Sequence, residues 1–327
     1  MADKPVLEVR DLTISVAMSG GGRANVVDGV AFAIPAGGTA GLVGESGSGK
    51  TMTSLAIMGL LPPGARVESG EIRLAGEDLL RKSAKELQRI RGRRMAMVMQ
   101  DAMTALDPSY TIRGQLAPSL RQHRKLSGDT LEQAVASSLH QVHLPAVAGR
   151  QYPHQLSGGK RQRATSAIAL AGEPRLLIAD EPTTALDVTT QARYLQMLCK
   201  LQESTGFALL LVTHDLLVVR HVCQRVILMY SSQIVEEGPV AEVFDDPQHP
   251  YTRALIGAIP VFGETLHLES IEGQAPDLSE SIPGCRFEPR CTYARDVCAG
   301  AVPELSLRRA DRRARCFGTE EGGWIAP

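Results

Sequence analysis

Long apolar stretches are missing from this chain. The longest uninterrupted run, Phe207 to Val212, falls far short of the roughly 18 residues that a membrane-spanning helix needs. The opening MADKPVLEVRD carries no secretory h-region, which points to a cytosolic address. Any service to a membrane must therefore come from docking on the helices of other chains. An excess of charge of one sign is also absent: 35 Lys and Arg face 36 Asp and Glu, for a net charge of -1. That balance gives no general pull toward nucleic acid or acidic lipid. Cysteine is scarce in the body of the chain, where Cys199 and Cys223 stand alone.

The chain has 327 residues, 43% of them apolar and 22% charged. This is enough for a packed core and excludes disorder over most of its length. At roughly 150 residues per domain the length suggests about two domains, or one with an appendage. Strand-like segments run over Leu7–Val16, Val26–Ile34, Thr39–Val43 and Met95–Gln100, with a turn run at Ser19–Gly22. A helix over Lys50–Leu61 is stopped by Pro62, Pro63 and Gly64. Residues 101–163 read as mostly helical. Compact apolar strands then return at Leu176–Ala179, Ala208–Thr213 and Val226–Tyr230. The helix from Val188 repeats its apolar residues at helical spacing. The fold class is α/β, a parallel-sheet core interrupted by a helical insert. The tail after Gln248 holds seven of the 19 prolines and four of the six cysteines, and reads as a separate, loop-rich unit.

Gly44-Glu45-Ser46-Gly47-Ser48-Gly49-Lys50-Thr51 fits G-x-x-x-x-G-K-[ST], after a strand and at the start of a helix, the context this motif requires. Its glycines let backbone N–H groups turn inward around a phosphate, and the helix N-terminus adds a positive dipole end. Lys50 is suited to the β- and γ-phosphates of ATP, the Thr51 hydroxyl to Mg²⁺, and Met52 follows in the same first turn. Leu176–Ala179 runs into Asp180-Glu181. A doubly buried strand would deliver Asp180 to the mouth of the sheet, near Mg²⁺. Glu181, one residue on, points elsewhere and suits the role of base toward the attacking water. Alone, such an acidic pair is more often a solvated strand end; the phosphate cradle upstream gives it weight. Leu156-Ser157-Gly158-Gly159-Lys160-Arg161-Gln162 reads as a helix start, where Ser157 can cap and two glycines leave N–H groups bare for a phosphate.

In order, the cradle, Gln100, Ser157–Gly159, Asp180-Glu181, Asp187 and His214 resemble the ABC ATPase series. Longer stretches, GESGSGKTMTSLAIMGLL, YPHQLSGGKRQR, LLIADEPTTALDV, HPYTRALIGAIP and PGCRFEPRC, are similar to the dipeptide/oligopeptide and nickel importer ATPases. The resemblance implies a P-loop ABC core with an antiparallel β subdomain and a helical subdomain. It also implies an ATPase domain over 1–247 and an extension over 248–327. By resemblance Gln100 touches Mg²⁺ and the attacking water, Asp187 bridges two ATPase subunits, and His214 contacts the γ-phosphate. The family works as a head-to-tail dimer, so Ser157, Gly158 and Gly159 complete the partner's ATP site. The implied partners are two membrane permease subunits, a sister ATPase (a heterodimer favoured over a homodimer) and, indirectly, an extracytoplasmic substrate-binding protein. The implied place is the cytoplasmic face of the inner membrane. Peptides are the implied cargo, with nickel or a metallophore as the alternative.

Two departures stand out. Lys160 occupies a position where the family usually has Gln or Met. The family also stacks adenine on an aromatic near the end of the first strand; here that place is Val16, and no Phe, Tyr or Trp precedes Phe32. Arg23 could offer a guanidinium face instead. A rival reading, an ABC ATPase acting on nucleic acid or ribosomes, has two basic clusters in its favour, Arg91-Arg93-Arg94 and Arg308-Arg309-Arg312-Arg313-Arg315. At this net charge both read better as solvated faces. Cys285-x₅-Cys291-x₆-Cys298-x₁₇-Cys316 supplies four thiolates, the ligand count of a [4Fe–4S] cluster or a Zn²⁺ site. Resemblance to importer ATPases with such tails favours Fe–S, with Zn²⁺ and unligated or disulfide-bonded cysteines as alternatives.

Overall fold

The apolar runs become strands and the periodic segments become helices. A computed structural model of the chain describes residues 4–18, 20–259, 271–279, 282–309, 311–319 and 323–325. Met1 to Asp3, Ser19 and Pro260, which end stretches quoted above, lie outside the described residues. The described strands are β1 (Pro5–Ala17), β2 (Arg23–Pro35), β3 (Thr39–Val43), β4 (Ala65–Leu74), β5 (Glu77–Asp78), β6 (Met95–Val98), β7 (Leu176–Asp180), β8 (Ala208–Thr213), β9 (Arg225–Tyr230), β10 (Gln233–Pro239), β11 (Ser306–Arg309) and β12 (Arg312–Ala314).

The chain divides into two compact units. The first comprises residues 1–7, 34–39 and 73–211. In it β8, β7 and β6 are neighbours in that order, with β6 and β7 parallel from Met95↔Leu176 to Val98↔Ala179. Every residue of β7 and β8 is buried, which is why these strands read as unbroken apolar runs. The helical insert is present as Ile112–Arg124, Gly128–Gln141 and Gly158–Leu170. Thr111 caps the first by accepting from the Gly114 N–H at 3.1 Å. Leu116, Leu120, Leu131 and Leu139 are almost fully buried, each contributing about 1.5–3 kcal/mol relative to exposure.

The second unit comprises residues 8–33, 40–72 and 212–327. There β3 and β9 run parallel, from Ala40↔Arg225 to Val43↔Leu228, and β10 returns antiparallel to β9. In a smaller sheet β2, β1 and β4 lie in that order.

Two sequence expectations change here. The tail does not stand apart, because β12 pairs antiparallel with β10 through Glu236↔Ala314 and Glu237↔Arg313. Nor is its arginine run a solvated face. Arg312 is 1% exposed and donates to Glu236, itself 0% exposed, at 3.2 Å. Arg313 donates to Glu237 at 2.8 Å, and Arg315 to the carbonyls of Ile234 and Pro303 at 2.9 and 3.0 Å. The polar strand Gln233–Pro239 could be buried because these guanidiniums meet its carboxylates.

Candidate functional site

The phosphate cradle lies in the second unit. Fully buried β3 hands the chain to Gly44, where an added Cβ would stand 2.1 Å from the Met229 carbonyl oxygen. Gly49 has φ 101° and precedes the helix Lys50–Met58; a Cβ there would meet the Val26 carbonyl oxygen at 2.3 Å. Only glycine fits either position. No side chain caps this helix, so its first N–H groups face the loop. Lys50 is buried, and its Nζ donates to the carbonyls of Gly44 and Glu45 at 2.7 and 2.9 Å. The Ser48 hydroxyl is buried with no hydrogen-bond partner among the described residues. Ser46 and Gly47 are exposed, as is Thr51, while Met52 is half-buried. A turn of uncapped amides around a buried ammonium is a fit for phosphate oxygens.

His214 follows the last residue of β8 and is exposed. Its neighbour Asp215 caps the next helix by accepting from the amides of Leu217 and Val218 at 2.8 and 3.2 Å. Val16 is half-buried near the end of β1. Beside it, Arg23 is held by the Ser15 hydroxyl at 2.6 Å, the Gly64 carbonyl at 3.0 Å and Glu68 at 3.2 Å. That fixes its guanidinium rather than leaving it to wander.

Asp180, Glu181, Gln100, Asp187 and Ser157–Gly159 lie in the first unit. Asp180 ends β7 and is 2% exposed. Glu181 adopts φ 46°, a left-handed backbone that non-glycine residues rarely take. The Thr184 hydroxyl donates to the Glu181 carboxylate at 2.9 Å. Gln100 lies just past β6, exposed, with the strand ending at Val98 rather than at Gln100. Asp187 caps the helix Val188–Thr205 by accepting from the Thr190 N–H at 3.0 Å. Its pKa is lowered, chiefly by hydrogen bonds from Thr190.

Ser157 occupies the N-cap position of the helix Gly158–Leu170, but its side chain makes no capping bond. The hydroxyl expected to cap is exposed instead. At Gly159 a Cβ would sit 2.3 Å from Thr190 Cγ2, so a side chain there requires Thr190 to turn away. One cavity brings together Gln100, Gly158, Arg161 and the turn Pro182, Ala185 and Leu186. Two motifs far apart in sequence thus open onto one space.

The four tail cysteines also converge. Cys285, Cys291, Cys298 and Cys316 line a single cavity with Phe287 and Trp324, and all are free thiols. Burial pushes Cys285 and Cys291 up to about 11, and raises Cys316. Backbone amides oppose that rise: Phe287 and Glu288 at Cys285, Tyr293 at Cys291, Gly318 and Thr319 at Cys316. Among the described residues no group of three or more Cys, His, Asp or Glu is set to hold a metal ion.

Sequence reasoning missed Tyr251 and Arg290. The Tyr251 hydroxyl accepts from the Glu45 N–H at 3.1 Å, and Arg290 donates to both Glu45 carboxylate oxygens at 3.1 and 3.0 Å. Both belong to quoted stretches, HPYTRALIGAIP and PGCRFEPRC, but nothing in their spacing announced a contact with the cradle.

Comparison with known proteins agrees with this geometry. Residues 27–184 match the ABC transporter family, and residues 235–298 match the oligopeptide/dipeptide transporter C-terminal region. The chain is 44% identical over 316 residues to the dipeptide transport ATP-binding protein DppD of Bacillus subtilis (strain 168), covering 95% of this chain and 94% of that one. It is 43% identical over 293 residues to DppD of Escherichia coli (strain K12), covering 89% and 90%. Among solved structures it is similar to the dimeric ATP-binding cassette MJ0796 in a post-hydrolysis state with ADP and Pi. There the TM-score is 0.65 and the identity 28%, over 72% of this chain and 98% of that one. The chain belongs to the ATP-hydrolysing subunits of the ABC transporter family, in the group with the oligopeptide/dipeptide C-terminal region.

Proposed function

We propose that this ATPase powers the import of dipeptides or oligopeptides. The observation that carries the reading is the union in one chain of the cassette motifs with the oligopeptide-type C-terminal region, supported by likeness to two DppD proteins. We take residues 1–247 as the ATPase domain and 248–327 as its extension. Lys50 and the amides of Gly44–Gly49 hold the phosphates of ATP. Thr51, Asp180 and Gln100 serve Mg²⁺, and Glu181 accepts the proton of the attacking water. His214 senses the γ-phosphate. Ser157, Gly158 and Gly159 act on the partner's ATP, and Asp187 bridges the pair. Among the described residues no helix is long and apolar enough to cross a membrane. The chain then works at the cytoplasmic face with two permease subunits and a sister ATPase, fed by a substrate-binding protein. The burial of Arg312 and the bonds of Arg313 and Arg315 speak against the tail's arginine run as a nucleic-acid surface.

Four free thiols on one cavity, Cys298 buried and the other three half-buried, with backbone amides at Cys285, Cys291 and Cys316, support a thiolate-ligated group such as a [4Fe–4S] cluster. Cys285, Cys291, Cys298 and Cys316 would hold it, their sulfurs tuned by those amides. When bound, such a group would cross-link the tail, which is too short to build a core of its own.

The test is ATP hydrolysis by the complex reconstituted with its permease subunits and binding protein. Peptide-loaded binding protein is expected to stimulate turnover. Stimulation by nickel or a metallophore instead, with none by peptide, would overturn the cargo.

A further inference from the structure

The tail enters the nucleotide site by a route that ATPase chemistry does not itself require. Glu45, the second residue of the cradle, is tied at three points within the second unit. Its N–H donates to the Tyr251 hydroxyl at 3.1 Å, its carbonyl accepts from Lys50 Nζ at 2.9 Å, and its carboxylate accepts from Arg290 at 3.1 and 3.0 Å. Arg290 is 6% exposed at its side chain, and all three of its guanidinium nitrogens donate. Nε donates to the Glu272 carbonyl at 2.9 Å, Nη2 to that of Ile271 at 3.3 Å, and Nη1 also to the Tyr230 hydroxyl at 3.2 Å. It also lies over the Tyr230 ring, 5.7 Å from the centroid.

The support behind this contact is stiff. Tyr230 and Tyr251 are buried, with ring centroids 4.7 Å apart, and Phe287 meets both at 5.2 and 5.6 Å. Phe287 also lines the cysteine cavity, and Arg290 immediately precedes Cys291. A continuous set of packed side chains therefore runs from that cavity to the phosphate loop.

The charges give the contact a purpose. A carboxylate on a phosphate-binding loop repels the polyanion the loop must accept. A buried guanidinium bonded to both its oxygens cancels that repulsion and fixes the carboxylate's direction. The Tyr251 hydroxyl meanwhile holds the Glu45 peptide, and through it the carbonyl on which Lys50 rests.

We propose that Arg290, supplied by the cysteine-rich tail, is a positioning residue of the phosphate loop: it neutralises and orients Glu45, so that ATP affinity depends on the folded tail. The inference rests on the cradle binding ATP, which Lys50→Ala checks separately.

The experiment measures binding of Mg²⁺·ATP by calorimetry, with KM and kcat, on the full chain. Arg290→Ala is expected to raise Kd and KM about tenfold or more, because the unneutralised Glu45 carboxylate repels the phosphates in ground and transition states alike, with kcat at saturating ATP nearly kept. Arg290→Lys, which keeps the charge, should recover part of the loss and serves if the alanine variant does not fold. Glu45→Gln combined with Arg290→Ala should bind ATP within about threefold of Glu45→Gln alone, because paired residues are not additive. Folded Arg290 variants with unchanged Kd and KM, or effects that multiply in the double variant, would overturn the proposal. Loss of ATP binding in Lys50→Ala beside normal binding in Arg290→Ala would remove only the role of Arg290. Normal ATP binding in Lys50→Ala would remove the cradle itself.

Discussion

Arg312→Ala should unfold the tail's junction with the sheet. The Arg312 side chain is 2% exposed and that of Glu236 0%. Removing the guanidinium leaves a buried carboxylate, and breaking a buried pair from one side costs about 3–5 kcal/mol. Glu236 keeps two other donors, the amides of Gln248 and His249 at 2.9 and 2.8 Å, which places the loss near the lower end, about 3 kcal/mol. The deficit should depend on pH. Burial raises the Glu236 pKa, against the amides of Gln248 and His249 and the pull of Arg312. An acid with a raised folded pKa contributes stability that is present below its unfolded value and is lost as pH rises through the folded value. Without Arg312 the folded value rises further, so the variant's deficit should be larger at pH 8 than at pH 5. Urea unfolding followed by circular dichroism and by the fluorescence of Trp324, the one tryptophan, reads both the whole chain and its tail. Arg312→Met with Glu236→Gln should recover much of the loss, since it removes the unpaired charge and keeps an amide oxygen for the Gln248 and His249 N–H groups. A loss under about 1 kcal/mol, far below that of a broken buried pair, or a deficit independent of pH, would refute the reasoning.

Three further outcomes follow from the site. Gly44→Ala should abolish ATP binding in a folded chain, because its Cβ would stand 2.1 Å from the Met229 carbonyl oxygen; equilibrium binding with a folding control by circular dichroism checks it. With Val16 in place of an aromatic, ATP and GTP should bind alike and Val16→Tyr should tighten ATP, stacking being worth roughly 1–3 kcal/mol; competition binding in which wild type strongly prefers ATP would assign the base to another group, with Arg23→Ala as the next test. Anaerobically purified protein should be brown and bleach with dithionite, as a cluster on the four cysteines requires; colourless protein with stoichiometric zinc would replace the cluster, and metal-free protein would remove the site.

Legibility in the sequence followed burial. Strands β3, β7, β8 and β9 were plain because residues buried on both faces must be apolar throughout. The cradle was plain because steric demands at Gly44 and Gly49 leave no other residue type. Strand β10 escaped because Gln233, Glu236 and Glu237 look solvated in a string of letters, and only their partners make them core. The same blindness turned the Arg308–Arg315 run into an imagined outer face. Ser157 has the residue type and backbone of a cap without the bond, which composition cannot tell. The convergence of four cysteines on one cavity, and of Arg290 on Glu45, depends on chain paths that no local spacing encodes.

The most direct measurement is single-turnover hydrolysis by Glu181→Gln beside ATP binding by the same protein. Binding should persist and ATP-bound dimers accumulate, while hydrolysis slows by roughly 10² to 10⁴, the worth of a general base. Hydrolysis at the parental rate would contradict Glu181 as the base and, with it, the assignment of chemistry to the end of β7.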